Sequence, residues 1–79
     1  MQVHVKLYGT LPKLYLGDYP KTGLDVAAWQ GLTVAELVQL VPLPHNQVAI
    51  VSINGFLAKA ADAVPQNAQV KFFQPINGG

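Results

Sequence analysis

The stretch GLTVAELVQLVPLP, residues 31 to 44, carries the clearest helix signal in the chain. Thr33 stands three residues before Glu36, the spacing of a capping box, in which each side chain satisfies a backbone donor of the other residue. Apolar residues recur at positions 34, 37, 38 and 41, which places them on one face of a helix. Proline cannot continue a helix, so Pro42 and Pro44 end it. The stretch predicts a helix of about two turns with one buried face.

Two strands are predicted before this helix. The segment VHVKLYG, residues 3 to 9, alternates apolar with polar or amphipathic side chains, which is the period of a half-buried strand, and Gly9 ends it. A long connection rich in proline and glycine, TLPKLYLGDYPKTG at 10 to 23, follows. A second strand is expected from Leu24 to Trp29. The helix is therefore preceded by a strand pair with a long first loop.

Three strands are predicted after the helix. VAIVSI, residues 48 to 53, is nearly continuously apolar and rich in β-branched residues, as in a central strand. The dipeptide at 54 and 55 is Asn-Gly, the strongest short hairpin signal, and it turns the chain into Phe56 and Leu57. A polar segment, DAVPQNAQ at 62 to 69, leads to the last strand, VKFFQ at 70 to 74. Pro75 ends regular strand pairing.

The order strand, strand, helix, strand, short strand, strand predicts an α+β protein with one main helix packed on a mixed sheet. This is the order of the β-grasp or ubiquitin-like architecture. We expect a single domain over residues 1–74, followed by a flexible tail at 75–79 that ends in Gly78 and Gly79. Fold alone does not specify chemistry, so any function has to be argued from particular residues.

Composition excludes several classes of function. The 79 residues are 51% hydrophobic and 11% charged, with a net charge of +1 from five lysines and no arginine. No basic stripe suited to nucleic acid is visible along the sequence, and no apolar run reaches the roughly 18 residues of a membrane span. There is no cysteine, which rules out disulfides and thiolate chemistry. No secretory signal is visible after Met1, so we expect a cytoplasmic protein.

Four segments together resemble the MoaD and ThiS family of sulfur carriers. They are VKLYGTL at 5 to 11, LTVAELVQL at 32 to 40, VSINGFL at 51 to 57 and VKFFQPINGG at 70 to 79. The ending, with two aromatic residues, a proline and Gly-Gly, is most similar to the MoaD branch, the small subunits of molybdopterin synthase. The sequence departs from the family in its long loop YLGDYPKTG at 15 to 23, in PQNAQ before the last strand, and in its lack of arginine.

The resemblance implies a role for the terminal carboxylate of Gly79. A carboxylate is ionised near neutral pH and is a poor electrophile, so it has to be activated. In the family, a ubiquitin-activating-type adenylyltransferase of the MoeB or ThiF kind uses ATP and magnesium to adenylate it, and sulfur then replaces AMP to give a thiocarboxylate. The resemblance therefore implies a non-catalytic carrier that binds no cofactor or metal itself. Its implied partners are this enzyme, a sulfur donor protein, and a molybdopterin synthase large subunit or a thiazole synthase.

The tail residues have expected docking roles in this scheme. Glycine lacks Cβ and lets a partner's backbone approach closely, which suits Gly78 as well as Gly79. Pro75 and Ile76 are expected to stiffen and anchor the tail where it leaves the sheet. Gln74 and Asn77 are expected to form hydrogen bonds along a partner's groove.

Strand alternation predicts a partner interface on the outer face of the sheet. If Val70 and Phe72 face the helix, Phe73 and Tyr8 point to the opposite side, where an aromatic pair is a candidate interaction patch. We expect Phe56, on the short hairpin strand, to extend this patch.

Other residues that could carry chemistry have plainer interpretations. His4 is expected to be an exposed strand residue and His45 a loop residue, and the aspartates show no spacing typical of a catalytic pair or a metal site. Two other functions remain open. A ubiquitin-like modifier would use the same Gly-Gly to form an isopeptide bond with a lysine, and a non-covalent adaptor would use the sheet face alone.

Overall fold

A computed structural model describes residues 1 to 75 of the chain, and the four last residues, 76 to 79, lie outside the described part. Five strands form one sheet: β1 (Gln2–Leu7), β2 (Leu24–Ala27), β3 (Ile50–Ile53), β4 (Phe56–Ala58) and β5 (Gln69–Phe73). Two α-helices, α1 (Leu11–Leu14) and α2 (Val34–Leu40), and a 3₁₀ turn (His45–Gln47) complete the described elements. The predicted α+β architecture with one main helix is confirmed.

The sheet has the strand order β2-β1-β5-β3-β4. β1 pairs parallel with β5, and the other neighbours are antiparallel, so the sheet is mixed as predicted. β5 is the central strand and is hydrogen-bonded on both sides. The last described residues, Gln74 and Pro75, therefore follow a strand that is paired on both sides.

The capping box at the start of α2 is present. The backbone N–H of Glu36 donates to the Thr33 hydroxyl at 3.2 Å, and the Thr33 N–H donates to the Glu36 carboxylate at 2.9 Å. Two further first-turn donors, the N–H groups of Val34 and Ala35, bond to the carbonyls of Asp62 and Ala60. The loop before β5 thus satisfies donors that every helix N-terminus leaves without an intrahelical partner.

The core lies between α2 and the inner face of the sheet. The positions predicted to form the buried stripe of α2 pack there, with Leu37 and Val41 almost fully buried and Val38 partly so. The inner sheet face contributes alternate residues, as strand periodicity requires. Its fully buried members include Val3, Val5, Val70 and Phe72.

The Asn54-Gly55 turn between β3 and β4 is confirmed. Both residues have positive φ, 51° and 89°, which a two-residue type I′ hairpin requires. Asn54 also accepts a hydrogen bond from the Gln69 backbone N–H through its side-chain oxygen at 2.9 Å. The hairpin is therefore tied to the start of β5.

The long connection before β2 contains a short helix, although its prolines and glycines predict a loop. It contains α1, whose Leu11 is fully buried, and Pro12 sits in the first helical turn, where proline is tolerated. The Tyr19 hydroxyl accepts a hydrogen bond from the Leu7 N–H at 2.8 Å, and the Leu16 N–H donates to the Pro42 carbonyl. The connection is packed against the end of β1 and the end of α2.

Candidate functional site

The candidate site is the end of β5 together with the outer sheet face beside it. Cross-strand partners project to the same face of a sheet. The register pairs Lys6 with Lys71 and Lys71 with Ser52, while Phe73 pairs with Ile50. These residues therefore share the face opposite α2, as the alternation of VKFFQ predicts.

Tyr8 and Phe73 form a stacked pair on this face. Their ring centroids are 5.1 Å apart with an interplanar angle of 23°, and both residues are half-buried. The Lys71 Nζ lies 5.8 Å from the Tyr8 ring centroid, within cation–π range. The Tyr8 N–H continues the β1–β5 ladder by donating to the Phe72 carbonyl at 3.0 Å. The aromatic pair thus sits directly at the end of the strand that leads to the tail.

The predicted position of Phe56 is wrong. Phe56 pairs with Ile53, which pairs with the buried Val70, so Phe56 projects from the face that carries α2 and does not extend the outer patch. The neighbouring Leu57 pairs with Ser52 and lies on the outer face, 80% exposed. The two-residue turn sets this register, because it makes Ile53 and Phe56 direct partners. A partner role for Phe56, which is 78% exposed, stays a prediction.

Gln74 is already engaged within the domain. Its side-chain oxygen accepts hydrogen bonds from the backbone N–H of Thr10 and from the Thr10 hydroxyl, the latter at 2.6 Å. Gly9 makes room for this contact: its φ is +65°, and a Cβ there would lie 2.6 Å from the Gln74 side-chain carbon Cδ. Gln74 is predicted to bind in a partner's groove, but its acceptor oxygen instead bonds Thr10, in the turn after β1.

Of the other predicted tail residues, the structure describes only Pro75. It is half-buried and follows directly after Gln74. Ile76, Asn77, Gly78 and Gly79 lie outside the described residues, and their docking roles stay predictions. Gly9 and Thr10 were missed by the sequence analysis, since they lie more than 60 residues from Gln74 and only the paired β1 and β5 bring them together.

The two histidines occupy supporting positions. His4 Nδ1 lies 2.9 Å from the Asp25 carboxylate, and Nε2 lies 2.5 Å from the Thr22 carbonyl oxygen, so the ring links β1 to β2 and to the end of the long loop. His45 contacts the Val41 carbonyl at 3.3 Å in the 3₁₀ turn. Within residues 1–75 no group of three or more metal-ligating side chains is found. Neither helix in this part of the chain is long and apolar enough to cross a membrane.

Comparison with known proteins supports the fold assignment. No protein-family model matches the sequence, and no curated protein matches it. Among solved structures, the crystal structure of SAMP1 from Haloferax volcanii superposes with a TM-score of 0.76. It covers 100% of both chains at 18% sequence identity. At this identity the similarity is one of fold, and together with the strand order it establishes a ubiquitin-like β-grasp fold.

Proposed function

We propose that this protein is a sulfur carrier whose Gly79 carboxylate is activated and converted to a thiocarboxylate for cofactor biosynthesis. The observation that carries the proposal is the position of Gln74 and Pro75, from which the tail starts. β5 is held by strands on both sides, and Gln74 is clamped to Thr10, so the sequence Pro-Ile-Asn-Gly-Gly begins at a fixed point beside the Tyr8–Phe73 pair. This arrangement suits a protein that presents its terminus to other enzymes while its folded domain provides the docking surface.

The chemistry follows from what the chain contains. Without cysteine, the protein cannot hold sulfur as a side-chain persulfide. In the proposed reaction, a carboxylate oxygen of Gly79 attacks the α-phosphate of ATP, and pyrophosphate leaves. A hydrosulfide ion released by the sulfur donor system then attacks the acyl carbon, the bond to AMP breaks, and AMP leaves with the electron pair, while the proton of the hydrosulfide is lost to solvent. ATP and magnesium are held by the activating partner, and this chain supplies the acyl group and the docking surface.

The proposed sulfur acceptor is a precursor of molybdopterin, reached through a synthase large subunit. The support for this choice over the thiazole of thiamine is the tail FFQPINGG, in which the aromatic pair and the proline stand as in the MoaD branch. The structure adds that the second of these aromatics, Phe73, is on the outer face.

The test is an intact-mass measurement after incubation with ATP, magnesium, an activating enzyme and a sulfur donor. The expected result is a mass gain of one sulfur-for-oxygen exchange, lost on omission of ATP. Because the chain lacks cysteine, a thiol-selective alkylating reagent should label only the loaded protein, and peptide mapping should place the label on Gly79.

Two other outcomes would contradict the proposal. Ladders of covalent adducts on lysines, without a thiocarboxylate intermediate, would indicate a protein modifier. An unchanged mass, with stable binding of the activating enzyme, would indicate an adaptor. The control is the chain without Gly78 and Gly79, which should remain unlabelled in all reactions.

A further inference from the structure

The long first loop borders a groove of which the sulfur-carrier proposal uses only Tyr8. Residues of β1, α1 and this loop line an open groove of about 590 Å³. Its lining includes three lysines, Lys6, Lys13 and Lys21, and one carboxylate, Asp18. The apolar and aromatic part of the lining includes Leu7, Tyr8, Pro12 and Tyr19. Below, this site is called the lysine groove.

Lysine is concentrated around this groove. Three of the five lysines of the chain line it, and the Nζ of a fourth, Lys71, lies 5.8 Å from the centroid of the Tyr8 ring, which also lines it. Three of the four acidic residues are engaged elsewhere: Asp25 with His4, Glu36 in the capping box, and Asp62 with the Lys59 N–H. Among residues 1–75 no lysine has a carboxylate within 4.0 Å. The groove is therefore a cationic site on a chain with a net charge of only +1.

Lys6 and Lys71 place two positive charges side by side on the outer face of the sheet. They are direct cross-strand partners of β1 and β5, and like charges in this position destabilise a sheet. A ligand with negative charge would relieve this repulsion when it binds. The chain thus carries an unfavourable arrangement of charge at the place where an anionic partner would make it favourable.

The long loop is held in place by contacts that keep the groove open. The Tyr19 hydroxyl bonds the Leu7 N–H, and Tyr15 packs edge-on against Tyr19 with centroids 5.8 Å apart. At the far end, the Gly23 N–H closes a turn onto the Pro20 carbonyl, and His4 holds the Thr22 carbonyl. These contacts fix the loop that forms the wall of the groove.

We infer that the lysine groove binds an acidic segment of a partner protein. Its volume is about twenty times the roughly 30 Å³ of a water molecule, far more than an inorganic anion needs. Phosphate sites favour arginine forks and helix N-termini, and the chain has no arginine. The Tyr8 ring is engaged by Phe73 and Lys71, so it is not a free platform for a nucleic-acid base. Lysines above apolar walls fit a peptide that alternates acidic and apolar side chains.

The test is a titration of the full ¹⁵N-labelled chain with a synthetic peptide of alternating glutamate and leucine, followed by NMR. The expected shifts map to the amides of Lys6, Tyr8, Lys13 and Lys21. The variant K13Q/K21Q should bind the peptide about two- to thirty-fold more weakly, as two lost surface ion pairs imply. K59Q is the matched control, because Lys59 is the one lysine outside the groove, and it should bind normally. Added salt should weaken binding to the wild-type chain.

Several results would overturn the inference. The inference would be wrong if the chemical shift changes map away from the groove or if the peptide does not bind. It would also be wrong if K59Q loses as much peptide affinity as K13Q/K21Q. Equal binding of a peptide with glutamine in place of glutamate would show that charge is not recognised. Tighter binding of pyrophosphate or of a single-stranded oligonucleotide would assign the groove to phosphate or nucleic acid. The sulfur-loading reaction is absent from this experiment, so its outcome is independent of the proposed carrier function.

Discussion

At the residue scale, the two neighbouring phenylalanines of β5 have different environments because side chains alternate along a strand. Phe72 is fully buried against α2, whereas Phe73 stacks on Tyr8 on the outer face. The inner residue contributes to the core, and the outer one marks the point where the tail begins. This contrast allows stability and docking to be separated by single substitutions.

We expect Phe72→Ala to lower the free energy of unfolding by about 3 to 5 kcal/mol, because it leaves a cavity in the core. Phe73→Ala should cost clearly less, since it removes one aromatic contact of about 0.5 to 1.5 kcal/mol and little deep burial. Urea unfolding of both variants tests the stability difference. Titration with the activating enzyme or synthase subunit should show weaker binding for Phe73→Ala. A Phe73→Ala variant that unfolds as easily as Phe72→Ala but binds normally would place the docking surface elsewhere.

Gln74 provides a second test at this scale. Gln74→Ala removes the acceptor of two Thr10 donors, and hydrogen exchange of the Thr10 amide should become faster. The loss of stability should stay near or below about 1.5 kcal/mol, because water can replace the acceptor at this exposed contact. Gln74→Glu keeps an acceptor oxygen and should protect the Thr10 amide as the wild type does. Equal exchange in the wild type and Gln74→Ala would show that the clamp is not formed in solution.

If the proposed carrier function is correct, the clamp also positions the tail. From Pro75, five residues remain, which span about 17 Å when fully extended. If Pro75 moved by a few ångströms, the displacement would be a sizeable fraction of the distance that the tail can span. Gln74→Ala should raise the KM for loading by the activating enzyme more than Gln74→Glu does.

At the element scale, α2 has only seven residues and depends on its first turn. Thr33→Ala removes the hydroxyl that accepts the Glu36 N–H and should destabilise the protein by about 1 kcal/mol, within the usual 0.5 to 2. Thr33→Ser keeps the hydroxyl and is the matched control. Denaturant unfolding measures the free energy of unfolding of both variants. A Thr33→Ala protein as stable as wild type would mean that the bonds from Val34 and Ala35 to the 60–62 loop suffice to hold the helix start.

The elements that the sequence predicted well are those with short-range causes. The capping box spans four residues and the Asn54-Gly55 turn two, so each is visible in a local pattern. Predicted strand ends were less accurate: β2 ends at Ala27 and not at Trp29, and β3 begins at Ile50 and not at Val48. Strand ends depend on which partner strand is still available for pairing, and a single strand's sequence does not contain that information.

The long connection at residues 10 to 23 is a second case in which distant contacts, absent from the local pattern, decide the structure. Its prolines and glycines indicate a loop, yet Leu11 is buried and α1 forms around Pro12. The contacts that order this segment come from Leu7 and Pro42, which are distant in sequence or belong to other elements. The face occupied by Phe56 was missed for a related reason, since the hairpin register decides it. The outer-face position of Phe73 needed only alternation along one strand, and it was predicted correctly.

At the scale of the whole molecule, the core, the candidate docking surface and the start of the tail lie on different parts of the sheet. The inner face and α2 form the core, and the outer face carries Tyr8, Phe73 and Lys71. Gln74 and Pro75 follow the end of β5, at the centre of the sheet. The lysine groove lies beside the outer face, next to Tyr8. A partner that contacts the groove and the aromatic pair at once would approach the base of the tail from one side.

This division predicts that stability and loading are separable by truncation. The buried residues of the described chain all lie between positions 3 and 72, so deletion of Gly78 and Gly79 leaves each of them in place. The melting temperature should therefore stay within the scatter of the wild-type value, because the truncated chain keeps these core residues. The sulfur-for-oxygen mass gain should be absent, because the new terminal carboxylate belongs to Asn77, whose side chain and shorter reach do not fit a site made for glycine.

The matched variant for this deletion is Gly79→Ala, which keeps the length of the chain and adds only a methyl group at its end. Loading of Gly79→Ala should fall strongly while its melting temperature stays unchanged, because the added Cβ narrows the approach of the activating enzyme's backbone to the carboxylate. Intact mass and thermal melts on the same samples give both readouts. A truncated chain that still acquires the mass gain would move the reactive group away from the terminus. A truncated chain that melts far below the wild type would show that the last residues belong to the folded domain.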